Sequence, residues 1–230
     1  MTSSGTYTFE PTVGSLVINA YGRIGIRRTE IEVEHLNDAA LESNLLLQEW
    51  SNRGVNLWEV DLQSVALSAG VATLTLAEST VTVLDAYIET SSGGTTTGRI
   101  LFSISRSEYA SYPNKLIEGF PTSFWFNRVK PPTLTLWPVP DASSTYTLKY
   151  YRMRAAQDAN LANGETIDLP DRFVEAFVAG LAHRLARHYA PNLEAARKTD
   201  AQEAWNLAGG ADVESVPIYI SPQLSSYYRP

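Results

Sequence analysis

The chain has 230 residues and a mass of 25.3 kDa, enough for one large domain or two small ones around a real core. Hydrophobic residues make up 44% and charged residues 19%, a folding composition rather than a disordered one. Cysteine is absent, which excludes a disulfide scaffold, a thiol nucleophile and every thiolate zinc site. The formal net charge of −7 argues against a grip on nucleic acid through its phosphates. That charge is uneven: residues 1–90 carry 12 acids and 4 bases, residues 91–230 carry 13 acids and 14 bases. Of the bases, 14 are Arg and 4 are Lys. This bias suits bidentate interface ion pairs, and a compositional habit of the source genome would also produce it. The opening MTSSGTYTFE has neither a basic n-region nor an apolar h-region, so no signal peptide is expected. No apolar run approaches the ~20 residues of a spanning helix. A soluble protein of a reducing compartment is the expectation.

Residues 12–25 are predicted helical, because Val13, Leu16, Val17, Ala20 and Ile24 recur at helical spacing and Thr12, after Pro11, suits the N-cap. A basic link, Arg27-Arg28, leads to a longer helix over 31–52 with a stripe of Val33, Leu36, Ala40, Leu47 and Trp50. Glu34, Asp38, Glu42 and Glu49 fall opposite that stripe, as a face turned to a channel, to a neighbour's arginines or simply to solvent. Leu41 and Leu45 land among those acids. They read either as tolerated surface leucines or as a second buried side set against another subunit. Gly54 suits the C′ position that ends the helix.

From Leu57 the period changes to two. LWEVDLQSVAL, VATLTLAE and TVTVLDAYIE predict three strands, SSGGTTTG (Ser91–Gly98) a hairpin tip, and ILFSI a further strand. SRSEYASY predicts a short helix, and three extended aromatic stretches follow it: PTSFWFNRV, PPTLTLWPVP and TYTLKYYRMR. Pro131-Pro132, Pro138 and Pro140 confine these strands to edges or ends. Residues 155–168 are polar loop. Helix returns in LPDRFVEAFVAGLAHRLARHY, with Phe173, Phe177, Leu181 and Leu185 in one stripe and Val174, Val178 and Tyr189 beside it. Pro170 fits its first turn, and Ala176 and Gly180 allow a neighbouring helix to approach closely. Pro191 ends this helix. Asn192 is expected to cap a last helix over 193–208, stopped by Gly209-Gly210. Residues 211–230 hold three prolines and an alternating PIYIS, and read as an extended tail. Its Ile218, Tyr219, Ile220, Leu224, Tyr227 and Tyr228 are candidate contacts with a neighbouring subunit or a larger assembly, by strand addition to a sheet edge.

The predicted fold class is α+β: a bundle of N- and C-terminal helices, an inserted antiparallel β domain and an extended tail. The expected divisions are 1–55, 56–154, 155–210 and 211–230.

No catalytic constellation emerges. GxSxG, GxxxxGK[ST] and GxGxxG are absent. His183 and His188, five apart on one helix, share a face poorly for metal binding, and no cofactor is expected. A glycosidase dyad would be invisible in sequence, since its members come from distant strands. Phe124, Trp125, Phe126, Trp137, Tyr150 and Tyr151 read either as β-domain core or as a sugar-stacking surface, which defines the alternative of a carbohydrate- or receptor-binding virion protein.

Three stretches, taken in order, carry a resemblance: LESNLLLQEWSNRGVNLWEV, PPTLTLWPVPDASSTYTLKYYR and LPDRFVEAFVAGLAHRLARHY. Together, over roughly residues 13–190, they resemble the head-to-tail adaptor proteins of short-tailed bacteriophages, also called tail tubular protein A or gatekeeper-type connectors. The resemblance implies a non-enzymatic virion subunit, made in the host cytoplasm. It implies a ring, usually of twelve copies, below the portal protein, seating the tail nozzle and often the fibres. Genomic DNA would pass through without specific binding, and no membrane is implied. An acidic channel wall is physically apt, because a basic one would hold the passing phosphates.

Overall fold

The computed structural model describes residues 5, 9–54, 57–92, 95–161 and 164–212. Among the described residues, five α-helices and nine strands form two apolar cores, one helical and one within the sheet. The fold is α+β, as the change of period from helical to two and back predicts.

Helix α1 (Val13–Arg23) starts at Thr12, whose side-chain oxygen accepts the Ser15 N–H at 3.3 Å. Its predicted stripe is buried from Val13 to Ile24. Helix α2 (Val33–Ser51) buries Ala39, Ser43, Leu46, Leu47 and Trp50. The apolar face is thus rotated from the predicted stripe, and Val33 and Leu36 are exposed. Helix α2 ends at Ser51 with Asn52 as its C-cap, so Gly54, at φ 145°, stands one residue beyond the C′ position expected for it.

Helix α4 (Asp171–Tyr189) is the centre of the helical core. Phe173, Val174, Phe177, Val178, Leu181 and Leu185 are buried, and so are the small residues between them. A helix that is apolar on nearly every side must be covered on every side. Accordingly α1, α2 and α5 (Glu194–Gly210) all pack on it. Asn192 does not cap α5: Pro191–Leu193 form a 3₁₀ turn ahead of it. The helix also runs through both glycines to Gly210. Trp205 of α5 closes the core against Trp50 and Phe173, with ring centroids 4.7 and 5.6 Å away.

The strands are β1 (Val60–Ala66), β2 (Thr73–Thr75), β3 (Thr80–Ser92), β4 (Thr95–Ser103), β5 (Glu118–Gly119), β6 (Ser123–Asn127), β7 (Thr133–Trp137), β8 (Val139–Pro140) and β9 (Tyr146–Arg154). Seven of them form one sheet in the order β1-β9-β3-β4-β6-β7-β2. Pairing is antiparallel except between β4 and β6, while β5 and β8 make a separate parallel pair. A wholly antiparallel sheet was the expectation. The segment carrying the short helix α3 (Arg106–Ser111) instead acts as a crossover, and a crossover returns the chain in the same direction. The β4–β6 seam is short, only Phe102↔Ser123 and Ser103↔Phe124. The sheet curls there, so that Ala86, Ile88, Leu148 and Tyr150 of one half share a core with Phe124, Leu134 and Leu136 of the other.

The threonine-rich tip is shorter than predicted. β3 and β4 stay paired out to Ser92↔Thr95, and the Thr90 and Thr97 hydroxyls meet across them at 2.9 Å. Threonine is a good strand former, and cross-strand pairs of this kind support pairing even in a polar segment.

Half-buried ion pairs tie β9 to β1 and to the loop that leads into α4. Arg152 stands directly opposite Asp61 across β9 and β1, donating from Nε at 2.8 Å and from Nη2 at 3.1 Å. Arg154 makes a second bidentate pair with Asp168, at 2.5 and 3.0 Å. Asn44 of α2 clamps the following loop by accepting from Ala159 N at 2.8 Å and donating to Ala159 O at 3.3 Å.

Candidate assembly surfaces

Arg184 organises the facing sides of α2 and α4. Nη1 donates to Glu42 at 2.9 Å and Nη2 to Glu49 at 2.6 Å. Arg53 donates to the other oxygen of Glu49 at 2.5 Å, and His188 lies 3.4 Å from Glu42. Nearer the start of α2, the Tyr189 hydroxyl donates to Asp38. Burial pushes the Glu49 carboxyl up, but the hydrogen bonds from Arg53 and Arg184 outweigh it and hold the group below its ordinary range. Tyr189, donating to Asp38, is pushed up to about 12. Asp38, Glu42 and Glu49 therefore have partners within their own subunit. Glu34 is exposed, with no hydrogen-bond or ion-pair partner among the described residues. Sequence reading missed Arg184 and Tyr189 as the partners. The signal was present, because in an antiparallel pair the acids at 38, 42 and 49 line up against 189, 188 and 184.

Leu41 and Leu45 lie on one face of α2, 61% and 41% exposed. Val33 is 72% exposed. These apolar groups stand on a helix whose other sides are already occupied by α4 and by the Ala159 loop.

The β-domain aromatics divide between core and outer face. Phe124 and Tyr150 are buried, whereas Trp125 and Trp137 lie on the outer side beneath α3. Tyr109 stacks on Trp125 with centroids 5.5 Å apart, and Tyr112 stacks on Trp137 at 4.1 Å. The Trp137 indole donates to Asn114 O at 3.1 Å. Both tryptophans thus have a ring face covered by a tyrosine. Tyr151 remains 41% exposed. The tail candidates Ile218, Tyr219, Ile220, Leu224, Tyr227 and Tyr228 lie outside the described residues.

A small cleft of about 260 Å³ lies between α2, α4 and α5. No cluster of three metal-ligating side chains occurs among the described residues. No helix among them is long and apolar enough to cross a membrane.

The class that the chain falls in, by its family, is that of structural proteins of the phage head-tail adaptor. The sequence profile of the SU10 adaptor protein family matches residues 11–220, and the chain belongs to that family. No curated protein matches the chain.

Proposed function

We propose that this subunit forms a ring, of the dodecameric kind, that joins the portal protein to the tail nozzle of a short-tailed phage and extends the DNA channel. Membership of the SU10 adaptor protein family makes the chain a virion component with a structural role. The observation that carries the finer reading is the exposed Leu41–Leu45 row, on a helix whose remaining sides are committed inside the subunit. Exposed apolar surface in that setting marks a protein contact. Genomic DNA passes through without specific binding, as suits a chain of net charge −7. Residues 211–230 reach the portal or a neighbouring subunit by adding a strand to a sheet edge. The free edges include β1 and the part of β4 outside its two-residue seam. Tail fibres would seat on the outside of the same ring. The working division of the chain remains 1–55, 56–154, 155–210 and 211–230.

Mass measurement of the purified subunit with and without portal tests this reading. A complex holding many copies per portal is expected. A subunit that ignores portal and binds glycans instead would overturn it, and would favour a receptor-binding role for the β part.

A further inference from the structure

The cleft between α2, α4 and α5 has an apolar floor and a cationic rim. Leu46, Trp50, Ala176, Gly180 and Trp205 supply the floor. Arg53, Arg184, Arg187 and Lys198 supply the rim, against Glu49 in the wall and Glu194 at the edge. Three of the four cations have a carboxylate partner within the subunit: Arg184 and Arg53 both hold Glu49, and Arg187 pairs with Glu194. Arg187 is 51% exposed and only 3.4 Å from the half-exposed Glu194. Lys198 is exposed and has no carboxylate partner among the described residues. His183, which lines the cleft, is held below its ordinary range first by burial and then by Arg187, with Lys198 and Arg184 adding to the effect against the opposing pull of Glu194. In a chain of net charge −7 this is a local inversion of sign.

The volume of about 260 Å³ is smaller than the roughly 300–1,000 Å³ of sites for drug-sized molecules. It suits an acidic side chain with an apolar neighbour. This chain carries such a segment on its own surface. In Thr29–Glu34 the acids Glu30, Glu32 and Glu34 alternate with Ile31 and Val33. All three acids are exposed, and Val33 is among the most exposed large apolar residues.

We infer that the cleft of one subunit receives the Glu30–Glu34 segment of a second copy, with Glu32 or Glu34 set against Lys198 and Arg187 and Val33 against the apolar floor. The inference rests on the ring reading above and gives it a contact. Pocket and plug are different surfaces, so the interaction is heterologous and repeats head to tail, closing a ring when the rotation permits. Opposite charge on the two surfaces also favours their encounter and fixes their register.

The absence of cysteine makes a direct test clean. Lys198→Cys and Glu32→Cys are introduced together, and phage particles carrying the variant are oxidised and run on a non-reducing gel. A ladder of covalent multimers is expected, with each single variant giving none. A separate arm reverses charge. Arg187→Glu with Lys198→Glu is expected to lower infectious yield at least tenfold, and adding Glu32→Lys and Glu34→Lys in the same chain to restore it to within about threefold. Particles that contain the adaptor as an oligomer but show no ladder and no charge-swap rescue would overturn this contact and leave the ring intact. Particles in which the wild-type chain is monomeric or missing would overturn the ring itself.

Discussion

A β-carbon added at Gly180 would lie 2.9 Å from Leu46 Cδ2 and 3.2 Å from Cδ1, so both methyls of one leucine rest on the bare backbone of α4. Ala176 one turn earlier widens this contact between α2 and α4. Leu46 is only 4% exposed, which limits how far its methyls can swing aside. Gly180→Ala therefore loses to overpacking more than the ~1 kcal/mol it gains in helix propensity. A net destabilisation of about 1 kcal/mol is expected by chemical denaturation. The same substitution in a Leu46→Ala background should be neutral or stabilising, and equal costs in both backgrounds would remove the steric account.

Arg184→Met should be costly. It strips Glu42, whose side chain is 15% exposed, of its guanidinium, and removes one of two cations from Glu49. A loss of about 2–3 kcal/mol is expected, since the remaining carboxylate stays half-buried and underpartnered. For the same reason reversing Glu42 and Glu49 to Lys should damage the fold itself. Glu34→Lys should leave the melting temperature unchanged.

Acid should loosen β9 from β1 and from the loop that leads into α4. Hydrogen bonds from Arg152 hold Asp61 below its ordinary range, and those from Arg154 do the same for Asp168 against its burial. A carboxyl depressed in the folded state contributes stability that is complete above the unfolded value near 4 and is lost as pH falls through the lower folded value. The contribution of these two pairs should thus be flat from pH 7 down to about 5 and decline below it. Asp61→Asn with Asp168→Asn should be less stable at pH 7 and show a shallower decline, measured by urea unfolding at each pH.

Leu41→Glu with Leu45→Glu should change monomer stability by less than about 0.5 kcal/mol, because both side chains already meet solvent. Association should weaken, each leucine contributing roughly 1.5–3 kcal/mol to a contact that buries it fully. Unaltered ring formation by native mass measurement would show that the pair is simply exposed.

Deletion of residues 213–230 should spare the fold, since both apolar cores among the described residues are built by residues up to Ala208. Attachment to portal should be lost. A truncated chain that still binds portal as the full chain does would exclude the tail from that contact.

The helices were legible where one apolar stripe met one neighbour. α1 shows this, with Val13 to Ile24 buried as their spacing predicts. Helix α2 was less legible because its sides do three things at once: Leu46 packs on Gly180, Glu42 and Glu49 hold Arg184, and Leu41 faces outward. Periodicity weighs hydrophobicity and does not see an arginine on a helix more than 100 residues later. The parallel β4–β6 seam was hidden for a similar reason, since two residue pairs leave no trace in strand composition. The cleft behind Lys198 needed three helices in place before its charges could be seen as a set.

Helix α4, on which α1 and α2 close, enters the chain only after the whole sheet has been specified. On the ribosome, at roughly 5–20 residues per second, the two N-terminal helices would wait on the order of ten seconds for it. Until then Val13, Leu16, Leu46 and Trp50 have no cover from α4. A chain cut short by premature termination or nicking ahead of Asp171 would keep those residues exposed and become a substrate for chaperones and proteases. Synthesis to the far end is in effect a completeness check, passed before any subunit can present its outer surfaces to another.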